Sequence, residues 1–344
     1  MKKTTRFLSV ALCLTLVLSG GLFFVAPEAK AASVNNNSQT LDSAVDKQGN
    51  IYVDESAATE GDNVTAEVEE ALAQDYDLYA LSTDYNNKIF SQIISDVLNK
   101  NTVTYDKASE LARLVNLGYS WHNSVGPINV TKGKLTVENT YTTGWLWNKK
   151  TVTQVNEDDV YVVGMSGTDP IALNSTTGVI TDLLSGFEQD NKYVRNIKKV
   201  MFENIPEGSK IIVSGHSLGG MVAQQISADK EVKDKYEILN VVAFGSPQIE
   251  GVNREGNVQR LGDTSDVVPY LSVNTFKNII WQVTGLNKED GGYFGRFITA
   301  HCQSYQRDDV WGGYDVVGTK GGNAKLTVDY STTQFFSSQI IVTK

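Results

Sequence analysis

Cysteine, histidine and proline are scarce in this chain: 2, 3 and 6 among 344 residues. So few cysteines and histidines leave no room for a Cys/His zinc site or a disulfide-stapled scaffold. Any histidine-dependent chemistry must choose among His122, His216 and His301. Positive charge is also short, with 30 Lys and Arg against 40 Asp and Glu and a net charge of −10, so nucleic acid and anionic lipid are excluded as general partners. At 41% hydrophobic and 20% charged, the composition excludes a collagen, a coiled coil and a wholly disordered chain. The length fits one large domain or two small ones.

Long apolar runs are lacking except at the start. Lys2, Lys3 and Arg6 precede an apolar stretch from Phe7 to Ala26, and Ala29-Lys30-Ala31 has the small residues of a cleavage site. These are the three parts of a secretory signal peptide over residues 1–31, so the protein is expected to be secreted after cleavage near Ala31. Ser9, Ser19, Gly20 and Gly21 interrupt the stretch and argue against an uncleaved anchor. Removing four basic residues and one acid leaves 26 basic against 39 acidic residues, a net charge of −13 on 313 residues. Cys13 leaves with the signal, so Cys302 remains alone and no internal disulfide is expected.

Residues 32–86 are polar and acidic with scattered apolar positions, and read as a flexible leader. Residues 87–344 carry the patterning of a folded unit. Helical periodicity starts at Ile89, Ile93, Ile94 and Val97 and resumes from Lys107 to Tyr119. Leu135 to Thr143 and Lys149 to Gln154 alternate as paired strands joined through Gly144-Trp145-Leu146-Trp147. Four short Val/Ile-rich runs follow: Val160 to Gly164, Lys210 to Ser214, Val241 to Phe244 and Val258 to Leu261. Val179 to Phe187, Tyr193 to Glu203 and Gly219 to Ala228 suit crossover helices between them. The pattern predicts an α/β fold with a mostly parallel sheet covered on both faces, and chemistry at the carboxyl ends of its strands. The tail from Gly312 to Lys344, with Gly321-Gly322-Asn323 between alternating runs, predicts an added β-hairpin.

The run from Lys210 to Ser214 leads into Gly215-His216-Ser217-Leu218-Gly219-Gly220 and then a helix-compatible stretch. This is a Gly-x-Ser-x-Gly elbow in its strand-turn-helix context, which makes Ser217 the candidate nucleophile. Small residues two positions away on each side are needed where so sharp a turn brings strand and helix together. A serine nucleophile needs a base oriented by a carboxylate. In the nucleophile-elbow fold the order is Ser, acid, His, and only His301 follows Ser217. Asp263 and Asp266 both follow the strand that ends at Leu261, and Val267-Val268-Pro269 places Asp266 beside an apolar, turn-fixed segment. The oxyanion donors are the amide of Leu218 and Thr168 in Met165-Ser166-Gly167-Thr168-Asp169. Phe276, Ile280 and Trp281, between acid and base, are candidates to line an acyl pocket, and Gly291-Gly292-Tyr293-Phe294-Gly295 could hinge a flap.

Together these residues resemble the class 3 lipases, the fungal-type family of the α/β-hydrolases. The resemblance runs from Lys107 to Tyr305 and is carried by the elbow, Ala243-Phe244-Gly245-Ser246-Pro247, Asp266-Val267-Val268-Pro269, His301 ahead of Tyr305, Ser166-Gly167-Thr168 and Thr181-Asp182-Leu183. It implies an α/β-hydrolase fold, chooses Asp266 over Asp263, and implies hydrolysis of lipid esters by Ser217, Asp266 and His301 without metal or organic cofactor. A transient contact with a lipid interface is part of that expectation. Ser166 stands where the family has arginine, Tyr270-Leu271-Ser272 lacks its second proline, and its disulfides are absent, so lid and substrate preference are not carried over. An acyltransferase or peptidase using the same triad, and a non-catalytic binding protein on this scaffold, remain alternatives.

Overall fold

The computed structural model describes residues 92–93, 95–117, 128–145, 147–167, 192–249, 253–270 and 285–336, and the backbone at 51–54 and 340–343. Its elements are β1 (Ile51–Asp54), β2 (Thr102–Tyr105), α1 (Ala108–Val115), β3 (Ile128–Thr143), β4 (Lys150–Met165), α2 (Lys192–Asn204), β5 (Lys210–His216), α3 (Leu218–Ala228), α4 (Lys230–Lys235), β6 (Glu237–Phe244), β7 (Asn257–Asp263), β8 (Leu286–Glu289), α5 (Phe297–Gln303), α6 (Asp308–Trp311), β9 (Lys325–Phe336) and β10 (Ile340–Thr343). Short 3-10 turns span Val268–Tyr270 and Ser304–Gln306. The helix expected at Val179 to Phe187 lies outside the described residues.

Eight strands form one sheet in the order β2-β9-β3-β4-β5-β6-β7-β8, and β1 pairs with β10 apart from it. From β4 to β8 every pairing is parallel, while β2, β9, β3 and β4 are antiparallel neighbours. Successive side chains point to opposite faces, which divides the core in two. Ile212, Val242, Phe244 and Leu261 face α1 and Trp311, whereas Ile211, Val213, Val163 and Val241 face the α2 and α3 side. Strands wetted on neither face are built from unbroken β-branched runs, as Lys210 to Ser214 shows. On α1, Ala108, Leu111, Ala112, Leu114 and Val115 are buried, and Glu110 Oε2 accepts the backbone N–H of Asp106 and Lys107 at its start. Asp229 caps α4 through the Val232 N–H at 3.1 Å and pairs with Lys198 of α2 at 2.8 Å.

Two sequence expectations are corrected. The alternating run near Lys149 and the apolar run near Val160 are one strand: β3 and β4 stay paired without a bulge from Ile128–Met165 to Thr143–Lys150. The tail is not a hairpin of its own. β9 pairs with β2 and β3, and among the described residues the segment before it makes only the single bridge Tyr314–Lys320. The reason is Asp315, whose carboxylate accepts the N–H groups of Thr319 and Ala324 and folds this segment into a loop. Tyr314, Val316 and Val317 are then drawn into the core rather than paired as a strand.

Candidate active site

Strand β5 delivers Ser217 to the carboxyl edge of the sheet, where the chain reverses into α3. Ser217 takes φ 57° and ψ −124°, a positive φ that a side chain adopts only at a cost of about 1–3 kcal/mol. The surroundings enforce it: the Ser217 N–H donates to the Phe244 carbonyl at 2.9 Å, and Gly220 and Met221 donate back to the Ser217 carbonyl. A Cβ on Gly215 would stand 2.1 Å from the Gly219 carbonyl oxygen, and one on Gly219 would stand 2.1 Å from that of Met165. Backbone meets backbone at both places, so only glycine lets the elbow close. Leu218 is the first residue of α3, where an amide has no partner within the helix and points toward the strand edge. Thr168, Phe276, Ile280 and Trp281 lie outside the described residues.

Asp266 and His301 are brought together: His301 Nδ1 lies 2.8 Å from Asp266 Oδ2. The carboxylate is fully engaged, since Oδ1 accepts the Val268 N–H at 2.9 Å and Oδ2 also accepts the Tyr305 hydroxyl at 2.6 Å. His301 sits in α5 and Tyr305 in the 3-10 turn that follows, so a spacing of four residues puts both on one side of the segment, facing one oxygen. Burial, then the Asp266 charge, pushes the Tyr305 phenol well above its usual range and keeps it a donor. With Nδ1–H directed at the carboxylate, Nε2 of a neutral His301 carries the lone pair. Gly245, at φ 56°, closes this cluster: a Cβ there would lie 3.0 Å from Asp266 Oδ2 and 3.1 Å from His301 Nδ1.

Asp263 occupies a different position. Its carboxylate accepts from Ser304 Oγ and from the N–H groups of Ser265 and Gly291, and burial raises its proton affinity. It ties the turn after β7 to the segment after α5 and does not meet His301.

Two residues enter the site that the sequence did not single out for it. His216, next to the elbow serine, turns to the other side of the strand end, where its ring lies 4.6 Å from that of His301 and 5.5 Å from that of Tyr305. Its Nε2 donates to the His301 carbonyl at 2.8 Å and so pins the backbone of α5 to the elbow. Arg260 is the other. It is buried in β7 and, in place of a carboxylate, donates to Gln248 Oε1 at 2.8 Å, the Ser246 carbonyl at 3.0 Å and the Pro269 carbonyl at 2.9 Å. One guanidinium thus clamps the loop after β6 to the loop that carries Asp266, and its burial lowers its pKa to about 9.

Burial, and secondarily the charge of His301, holds His216 well below the ordinary imidazole value of 6.5. The folded state therefore keeps it neutral while the unfolded chain binds a proton below pH 6.5. His216 contributes stability that is full above that pH and is lost as pH falls, by up to about 1.4 kcal/mol per unit. Denaturant unfolding of the wild type and His216→Gln between pH 7 and pH 5 is expected to show the steeper loss in the wild type. Parallel curves would reject this assignment.

Among the described residues no group of three or more His, Cys, Asp or Glu could hold a metal ion, and no helix is long and apolar enough to cross a membrane. No curated protein matches the chain. A family model does match, over residues 148–275, and it takes in β4, the elbow and the Asp266 loop while stopping short of His301. The match supports lipase or ester-hydrolase activity in general, with lipid or ester substrates. The mostly parallel eight-stranded sheet flanked by helices is an α/β-hydrolase fold, and residues 148–275 match the model of the lipase (class 3) family.

Proposed function

We propose that the protein is a secreted serine hydrolase of carboxylic esters, acting on acyl esters of lipids through Ser217, Asp266 and His301. The observation that carries this reading is the Asp266–His301 contact at the carboxyl edge of the sheet that also presents Ser217 on a positive-φ turn. His301 Nε2 takes the proton of Ser217 as its oxygen attacks the ester carbonyl. Asp266 holds the imidazole tautomer and stabilises the imidazolium. The Leu218 amide, with Thr168 as second donor, receives the charge that develops on the carbonyl oxygen. His301 then protonates the leaving alcohol and activates the water that releases the acid. Phe276, Ile280 and Trp281 line the acyl side. Residues 1–31 are removed on export, and residues 32–86 precede the hydrolase unit as an acidic leader.

The reaction is tested by labelling with a fluorophosphonate and by a panel of esters from short soluble acyl chains to triglyceride and phospholipid. Labelling at Ser217 with turnover of at least one ester class is expected. A folded protein that neither reacts with the phosphonate nor hydrolyses any ester would leave the non-catalytic reading in its place. Added alcohol or amine that captures most of the acyl group would favour acyl transfer.

A further inference from the structure

β3 and β4 are each 16 residues long, far more than the sheet uses. Pairing of β3 with β9 ends at Thr136–Lys325, and pairing of β4 with β5 starts only at Val160–Lys210. From the Val137–Asn156 pair to the Thr143–Lys150 pair no other described strand joins β3 or β4, and at about 3.3 Å per residue these seven pairs form a two-stranded ribbon about 23 Å long. Its flanks mix polar side chains, with the Thr140 and Thr153 hydroxyls 3.4 Å apart, with the partly exposed Tyr141, Val152 and Val155.

The tip differs in chemistry from the flanks. Trp145 is 84% exposed and Trp147 98% exposed, on a turn closed by the Asn148 N–H donating to the Trp145 carbonyl. Lys149 and Lys150 follow at once, and both are exposed. Two exposed indoles beside two ammonium groups carry a large desolvation incentive, and nothing among the described residues covers them. Indoles settle at the boundary between hydrocarbon and headgroups, and lysines beside them are drawn to anionic headgroups.

We propose that this tip anchors the protein to the surface of an anionic lipid bilayer. The net charge of −10 opposes such contact for the body of the protein. The ribbon answers this by distance, because its length is nearly three times the Debye length of about 8 Å at physiological salt. From the Val137–Asn156 pair outward the charged side chains on the ribbon and its turn are Glu138, Lys149 and Lys150, so this projecting part is net positive, while Glu157, Asp158 and Asp159 lie at its base. The direction is equally specific. Ser217 stands at the carboxyl end of the parallel strands, whereas the tip extends from the amino end of β4. The anchored protein holds its reactive edge away from that membrane, and its substrate arrives from the opposite side. The anchor does not depend on the chemistry at Ser217.

The test is co-sedimentation of the signal-free protein with vesicles of phosphatidylcholine alone and of phosphatidylcholine with phosphatidylglycerol. Binding to the mixed vesicles is expected. Trp145→Ser with Trp147→Ser should lower the partition coefficient at least tenfold, and Lys149→Ser with Lys150→Ser should remove the preference for the anionic vesicles. Ser217→Ala should sediment as the wild type does. Turnover of a soluble short-chain ester should be equal in the wild type and both tip variants. Wild type that ignores both vesicles, or a tryptophan variant that binds undiminished, overturns the proposal. A lipid-free dimer that the tryptophan substitutions dissolve would assign the tip to a second copy instead. A wild type that sediments but turns over no ester would reject the hydrolase reading and leave the anchor standing.

Discussion

Ser217→Ala and His301→Ala are each expected to lower kcat for a soluble ester by about 10⁵–10⁶-fold, and the double variant by no more than either alone. The two groups perform one proton-coupled attack, so removing the second after the first takes away nothing further. What survives is the contribution of substrate binding and the Leu218 amide, about 10³–10⁴-fold over water. Both variants should stay folded. Alanine keeps a Cβ at the strained φ of 57°, and at position 301 it is a good helix former within α5, removing only the ring that is buried beside His216 and Gly245. Single-turnover rates together with far-ultraviolet circular dichroism separate loss of chemistry from loss of fold. A folded Ser217→Ala variant that keeps more than about a hundredth of the activity would remove Ser217 from the role given to it.

Arg260→Ala is expected to have the largest effect on stability. The substitution empties the space of a buried guanidinium, leaves the buried Gln248 Oε1 and Ser246 carbonyl without its hydrogens, and takes one donor from the Pro269 carbonyl. Stranding such groups costs about 1–3 kcal/mol each before relaxation, and opening a buried charged network about 3–5 kcal/mol in all. Guanidinium chloride unfolding should show a loss in that range. Activity should fall with it, because the Ser246 and Asp266 loops are no longer clamped to each other. Arg260→Met restores most of the volume without the guanidinium's hydrogen bonds, and should recover only part of the loss. Full recovery in the methionine variant would mean that packing alone, without the hydrogen bonds, holds the loops.

How legible the fold was depended on whether a residue's environment is set by its sequence neighbours. β5, β6 and β7 were readable because strands buried on both faces need continuous apolar runs, and their turns need Gly, Ser or Asp. The unity of β4 was not readable. Glu157-Asp158-Asp159 interrupts its apolar alternation like a loop, and only the pairing with β3 and the Lys210–Asp158 ion pair show that a strand runs through. The tail misled for the converse reason: Gly321-Gly322-Asn323 looks like a hairpin turn, while the carboxylate that folds the segment, Asp315, lies several residues earlier. At the candidate site, scarcity left His301 as the sole downstream histidine. The choice between Asp263 and Asp266 stayed open on residue pattern alone, since both follow the apolar run that ends at Leu261. Their separate partners, Ser304 for one and His301 for the other, are contacts across about 40 residues of chain. His216 carried one usable signal: a residue adjacent to the elbow serine at the end of a strand must point to the opposite side from it.

The antiparallel edge of the main sheet also sets a schedule for its assembly. β2 finds its partner only in β9, with Thr102 opposite Asp329, so the two halves of that pairing are separated by nearly the whole hydrolase unit. β3 likewise stays open on one side until Lys325 and the residues after it are available. Contacts of such sequence separation make folding slow and leave strand edges exposed in the meantime. A chain emerging from a ribosome cannot close this sheet until β9, Lys325–Phe336, has appeared. An open-edged sheet is thus built into the topology as the form the growing chain keeps until that strand arrives.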